Sequence, residues 1–214
     1  MKRLVFAVGQ ALACQLLALP LSADPLLFYS KKFPGSMPEY SEVRLTRDGK
    51  VEYREAPDED PLRFKLPSDD TETCFSLAQK LDHFKRPLES GLPVARMGEK
   101  TFRWEDGPAK TEAKFNYSQD LDAQALLDMF EKICESAQMY YLLERTVKYD
   151  RIGVNQALLR LESAWDHKHL VGVEMYLPLL DRVVKNDSYL NMARERASKL
   201  ADLFRGKPLA SPAQ

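Results

Sequence analysis

Residues 41–53 read SEVRLTRDGKVEY, and this stretch predicts the β-hairpin around which the rest of the chain is organised. Apolar and charged residues alternate on both sides of Arg-Asp-Gly, which is the period-two pattern of strands with one buried face. A two-residue Asp-Gly turn would place apolar residues opposite charged ones. A three-residue loop with Gly49 in the left-handed region pairs Leu45 with Val51 and keeps one face apolar, so we predict this register.

Three further strands and two helices are predicted after the hairpin. Alternating apolar residues mark these strands, at 62–66, 101–105 and 111–117. Asp69 is the expected N-cap of a first helix that runs to about His83, because Glu72 follows it three residues later. A second helix is expected to start near Asp120.

The chain from 120 to 206 has a helical apolar pattern, interrupted by short polar breaks at about 166–172 and 185–188. Short breaks make successive helices antiparallel neighbours. The predicted fold class is therefore α+β. It has an antiparallel sheet of about five strands with two helices on one face, followed by a C-terminal α-helical layer of three to four antiparallel helices.

The first 23 residues have the order of an export signal peptide. A positive start at Lys2 and Arg3 precedes an apolar run, and Pro20 follows it before a small residue at Ala23. Cleavage after Ala23 would leave no stable membrane span, and the protein would be periplasmic or extracellular. An uncleaved anchor is the alternative, although the apolar run is marginal in length for a spanning helix.

Four segments are expected along the chain. The predicted boundaries are an export signal at 1–23, a strand-rich half with one helix at 24–118, a helical half at 119–206 and a disordered tail at 207–214. The two halves are expected to form one compact unit.

Composition limits the classes of function. The 214 residues are 44% hydrophobic and 29% charged, with a formal net charge of −1, as in a soluble globular protein. Dedicated nucleic-acid binders usually carry a clear basic excess, so the charge balance argues against nucleic acid as a partner. The expected partner is another envelope protein.

Two cysteines remain in the predicted mature chain, Cys74 and Cys134. In an exported protein they are candidates for a disulfide, because compartments outside the cytoplasm are oxidising. The alternative is a pair of buried free thiols that pack as small apolar side chains.

Motifs that would identify an enzyme are absent from the sequence, including nucleophile elbows, phosphate-binding loops and paired cysteine ligands. No catalytic or cofactor-binding residues are predicted. His167 and His169 are weak candidates for metal ligands, since they lie two residues apart in a predicted loop. We expect an exported, non-catalytic macromolecule-binding module of the bacterial envelope. The alternative is an envelope hydrolase that uses an acid pair or a His167/His169 site.

Several segments resemble a family of uncharacterised exported bacterial proteins. The segments are LDHFKRPLESGL at 81–92, KTFRWEDG at 100–107, KFNYS at 114–118, LLERTVKYD at 142–150 and MARERASKLADLFR at 192–205. The resemblance covers most of the predicted mature chain. It implies a bacterial origin and an envelope or extracellular location, but no activity and no functional residues.

Overall fold

The computed structural model describes residues 24–206, so the predicted signal peptide at 1–23 and the predicted tail at 207–214 lie outside the described residues. The strands are β1 (Leu26–Lys32), β2 (Tyr40–Thr46), β3 (Lys50–Arg54), β4 (Leu62–Lys65), β5 (Glu99–Asp106) and β6 (Ala109–Phe115). The helices are α1 (Ser68–Lys80), α2 (Leu121–Tyr149), α3 (Val154–Asp166), α4 (Leu177–Val184) and α5 (Asn191–Phe204). Short 3₁₀ turns at Asp82–Phe84 and Val173–Tyr176 follow α1 and precede α4.

The strands form one antiparallel sheet in the order β4-β3-β2-β1-β5-β6. The hairpin register is confirmed, because Leu45 lies opposite Val51. Gly49 has a φ of 84°, and its amide donates to the Thr46 carbonyl at 2.9 Å. A side chain there would adopt the left-handed region and meet the Leu66 carbonyl, so glycine sets this turn.

The α+β prediction is confirmed, with one strand more than the five expected. The additional strand is β1, which pairs with β2 on one side and β5 on the other. Leu27 and Tyr29 point into the core, but Phe28 between them is also apolar and only 5% exposed. The strand therefore lacks the alternation by which the other strands are recognised.

Helices α1 and α2 cover one face of the sheet. Their apolar side chains pack with those of the strands in a single buried cluster. At its centre the Tyr29 and Phe130 rings stack with 5.0 Å between their centroids. The Asp120 side chain accepts from the amides of Asp122 and Ala123, which confirms the predicted start of α2.

The predicted N-cap of α1 is wrong. The helix begins at Ser68, one residue before Asp69, and its N-cap is Pro67, which makes no side-chain capping bond. The Asp69 carboxylate instead lies in the first turn, where a negative charge is favourable beside the helix dipole. The Thr71 hydroxyl donates to the Pro67 carbonyl at 2.9 Å and fixes the entry into the helix.

A second buried cluster joins the C-terminal half of α2 to α3, α4 and α5. Two buried tyrosines tie the later helices to α2. The Tyr176 hydroxyl donates to the Ser136 carbonyl at 2.6 Å, and the Tyr189 hydroxyl donates to the Val147 carbonyl at 2.8 Å. Among the residues 24–206, no helix has the length and apolar character needed to cross a membrane.

Cys74 and Cys134 are free, buried thiols, so the predicted disulfide is not formed and the alternative of packed thiols describes them. Both lie in the sheet-side cluster. Burial raises the pKa of each thiol to about 12. Because the thiolate is the reactive form, neither sulfur is prepared for nucleophilic chemistry at neutral pH.

Candidate functional site

The two loop histidines do not form a convergent pair. Their rings lie 6.2 Å apart between centroids. His167 Nδ1 bonds to the Ser163 carbonyl at 2.7 Å, whereas His169 Nδ1 lies 3.2 Å from Oε2 of Glu135. Within residues 24–206, no group of three or more His, Cys, Asp or Glu side chains is placed to hold a metal ion.

The sheet face opposite α1 and α2, which we call the open face, carries a network of ion pairs. One row of cross-strand neighbours runs across all six strands, from Arg63 through Glu52, Arg44, Phe28 and Arg103 to Glu112. Each arginine in it has a carboxylate partner. Since the carboxylates satisfy these guanidinium groups, this open face holds few cations ready for an external anion.

Phe28 is the apolar centre of that row. The Arg103 Cζ atom lies 3.7 Å from the centroid of the Phe28 ring, and the Arg44 Cζ atom lies 5.9 Å from it. The Arg103 Nε donates to Glu105 at 2.8 Å, which holds the guanidinium over the ring. The two arginines thus shield from water an aromatic ring that no helix covers.

A cavity of about 540 Å³ beside the N-terminal half of α2 contains the buried Lys100. Its ammonium donates to three backbone carbonyls, those of Asn116 at 2.8 Å, Gly98 at 3.4 Å and Met97 at 3.5 Å. Burial, together with the nearby positive charge of Lys31, lowers the pKa of Lys100. Because all three ammonium protons are engaged, Lys100 ties the loop before β5 to the end of β6.

The arginines divide sharply by their partners. Nine of the fourteen arginines at positions 24–206 are within ion-pair distance of a carboxylate. Five in this range have no ion pair, namely Arg96, Arg145, Arg151, Arg160 and Arg182. The last four belong to α2, α3, α4 and the α2–α3 turn, at one end of the helical layer.

Arg145 and Arg160 flank a groove of about 420 Å³ between α2 and α3. On each helix, a second groove residue lies four positions away, Tyr149 on α2 and Gln156 on α3. Side chains four apart share one helical face and are separated by about 6 Å along the axis. The groove is therefore lined by matched pairs from two adjacent helices. We call it the α2–α3 groove.

The turn between these helices is fixed by Asp150. Its Oδ1 accepts from the Gly153 amide at 2.9 Å, and its own amide donates to the Thr146 carbonyl at 2.8 Å. A Cβ on Gly153 would clash with the Asp150 carboxylate, so a larger residue there would displace the carboxylate that caps the turn. This tight turn leaves Tyr149 and Ile152 projecting outward, 73% and 81% exposed.

Basic side chains outnumber acidic ones around the α2–α3 groove, although Asp150 lines it and Glu144 lies near Lys148. Lys148 lies 5.0 Å from the centroid of the Tyr149 ring. A side-chain hydrogen bond with Tyr149 raises the pKa of Lys148, and Arg182 is close enough to oppose that shift. Lys148 is therefore positively charged at neutral pH, and it adds to the unpaired arginines.

This arrangement suits an anionic ligand that also has a flat apolar part. A guanidinium presents a planar set of hydrogen-bond donors that matches the oxygens of a phosphate. An arginine without a carboxylate partner can bind a phosphate without first breaking an ion pair. The exposed tyrosine offers a ring face for stacking within the same groove. The site can thus bind a phosphate and an aromatic group side by side.

Sequence reasoning missed the α2–α3 groove. Arg145 and Arg160 are fifteen positions apart, and acidic Glu144 precedes the first, so neither stands out as a basic cluster. The available signal was the four-residue spacing of Arg145 from Tyr149, and of Gln156 from Arg160, on two helices joined by a short turn. Only the helical hairpin brings these two pairs together.

Comparison with known proteins gives one informative similarity. No family model matches the chain. The chain is similar to the CRISPR-associated endonuclease Cas1 of Pyrococcus horikoshii, with 34% identity over 113 residues. That alignment covers 51% of this chain and 32% of the relative, so the chain spans about a third of the length of the curated relative it matches.

The similarity corrects two expectations from the sequence. An endonuclease acts on nucleic acid, so the expected function as a non-catalytic envelope module, with an envelope hydrolase as its alternative, is overturned. The export signal and the location stay predictions. The exclusion of nucleic acid as a partner is also overturned. The charge argument failed because a net charge of −1 sums over the whole chain, whereas the unpaired arginines are concentrated at one end of the helical layer.

Proposed function

We propose that this protein binds nucleic acid through the α2–α3 groove. The observation that carries the proposal is that Arg145 and Arg160 face one groove, and neither has a carboxylate partner among the described residues. The similarity to an endonuclease supports nucleic acid as the ligand class, because phosphates are what unpaired arginines recognise best.

The electrostatics favour this surface over the open face of the sheet. On the sheet, a phosphate would have to displace glutamates such as Glu52 or Glu112 from their arginines. At the groove no such exchange is needed, because the lining carboxylate, Asp150, accepts from the Gly153 amide and is not paired with an arginine. Arg151, Lys148 and Arg182 add positive charge nearby, which outweighs Glu144 beside Lys148. A polyanion gains most where several cations lie together without carboxylates paired to them.

The test is fluorescence anisotropy of a labelled oligonucleotide titrated with the protein at several salt concentrations. Binding is expected to weaken steeply between about 50 and 200 mM salt, because each neutralised phosphate releases counterions. The double substitution Arg145→Ala with Arg160→Ala should weaken binding and reduce the slope of log affinity against log salt by about 2, one for each lost contact.

The matched control is Arg63→Ala with Lys65→Ala on β4, which removes the same charge from two exposed positions of the sheet. Its affinity and salt slope should stay close to those of the unaltered protein. If the control weakens binding as much as the groove variant does, net charge and not the groove determines binding. Absence of any binding at low salt would refute the proposal outright.

A further inference from the structure

Phosphate binding by the arginines does not explain why Tyr149 is exposed in the α2–α3 groove. A tyrosine that is 73% exposed contributes little to packing, yet the Asp150–Gly153 turn holds it at the end of α2. Ile152, 81% exposed, projects from the same turn. The Tyr149 ring, which lines the groove, offers a surface that a flat apolar group can cover.

Resting on the proposed function, we infer that the ligand of the α2–α3 groove is single-stranded nucleic acid, with one base stacked on Tyr149. Single strands expose base faces, and aromatic side chains bind those faces largely without regard to sequence. Arg145 and Arg160 hold the adjoining phosphates at the other end of the groove.

The spacing of the groove residues suits phosphate binding at one end and base stacking at the other. Arg145 and Tyr149 lie one helical turn apart on α2, so the cation and the ring are separated by about 6 Å along the axis. On α3, Gln156 stands opposite the ring end and Arg160 opposite the arginine end. The groove therefore has a cationic end for backbone and an aromatic end, with an amide, for a base.

A duplex fits the same surface less well. In a double helix the base faces are stacked on one another, and only the edges are accessible in the grooves. Tyr149 would then meet sugar and phosphate, which gain nothing from a ring face. A duplex would keep the arginine contacts and lose the stacking contact.

The test compares a labelled oligothymidylate of about 20 nucleotides with the same strand annealed to oligoadenylate, both titrated with the full chain. The single strand is expected to bind at least about tenfold more tightly than the duplex. Tyr149→Ala should weaken single-strand binding by about 5- to 150-fold and leave duplex binding unchanged. Tyr149→Phe, which keeps the ring, should restore the affinity.

Each outcome separates the two claims. Equal affinity for both forms, or no effect of Tyr149→Ala on the single strand, overturns the single-strand inference while the groove remains a nucleic-acid site. Binding of neither form overturns the proposed function itself. Because Tyr149 is largely exposed, its substitutions leave the core intact, and circular dichroism of each variant verifies this.

Discussion

Arginines on the open sheet face and arginines in the α2–α3 groove have opposite electrostatic surroundings. On the sheet, Arg44, Arg54 and Arg103 each lie within 4 Å of one or two glutamates. At the groove, Arg145 and Arg160 have no such partner among the residues described. The sheet arginines serve stability, whereas the groove arginines are left available for a ligand.

The difference shows that the number of basic residues does not by itself indicate a binding surface. The sheet is rich in lysine and arginine, but glutamates on the same strand or on a neighbouring one pair with the arginines of its open face. Position relative to carboxylates decides which cations an external phosphate can reach. Substitutions that exchange the two settings therefore test the comparison directly.

The largest effect is expected from Glu42→Gln. Glu42 is 7% exposed and accepts from the Tyr40 hydroxyl at 2.7 Å and from Arg44 Nε at 3.0 Å, with Arg54 at 3.7 Å. Removing its charge should lower the free energy of unfolding by about 1–3 kcal/mol, measured by denaturant titration. It also frees Arg44 and leaves Arg54 with Glu52 alone, so oligonucleotide affinity should rise. Unchanged affinity would show that pairing is not what keeps the sheet face from nucleic acid.

Arg103→Ala should have the next largest effect. The substitution uncovers the Phe28 ring and removes a partner from both Glu105 and Glu112. We expect the free energy of unfolding to fall by about 1–2 kcal/mol while oligonucleotide binding stays the same. Arg160→Ala is the matched control, with the opposite pattern. A loss of binding in Arg103→Ala would place the sheet in the ligand site.

Acid titration should reveal a smaller difference in stability between the unaltered protein and Arg103→Ala. Burial opposes it, but Arg103 and Lys110 hold the pKa of Glu105 below its usual value. A carboxylate with a lowered pKa stabilises the folded state above the unfolded-state pKa of about 4.3, and that stability is lost as the pH falls through the folded-state value. The free energy of unfolding should therefore change less between pH 6 and a pH below 4 in Arg103→Ala than in the unaltered protein, by about 0.5 kcal/mol. Parallel pH profiles would contradict this reasoning.

The smallest effect on stability is expected at the groove. Arg145→Ala combined with Arg160→Ala removes no ion pair from the described structure. The free energy of unfolding should change by less than about 0.5 kcal/mol, while nucleic-acid binding falls. Thermal unfolding of the double variant beside the unaltered chain measures this. A larger loss would mean that these arginines have a structural role.

Local patterns were enough to predict much of the fold. The hairpin register around Gly49 followed from keeping apolar residues on one face, and the capping carboxylate of Asp120 marked the start of α2. Strand β1 was missed because Phe28 is apolar on the open face. What covers Phe28 is Arg103, 75 positions away in the chain, and no local pattern contains that contact.

The candidate site was beyond the reach of the sequence. Arg145 lies in the segment 142–150, where nothing nearby in the chain shows that it lacks a carboxylate partner. Glu144 is its neighbour in sequence, yet no ion pair joins the two in the described structure. Whether a charge is neutralised depends on side-chain directions in space, which alternate around a helix and across a sheet.

The length of α2 has a consequence for how the protein unfolds. Its 29 residues extend over about 44 Å, with the N-terminal half in the sheet-side cluster and the C-terminal half in the helical cluster. Neither cluster can open without exposing part of α2, so we expect the two cores to unfold together as one cooperative unit. The α2–α3 groove lies at the C-terminal end of α2, so hydrogen exchange at the backbone amides of the groove should report the integrity of the distant sheet.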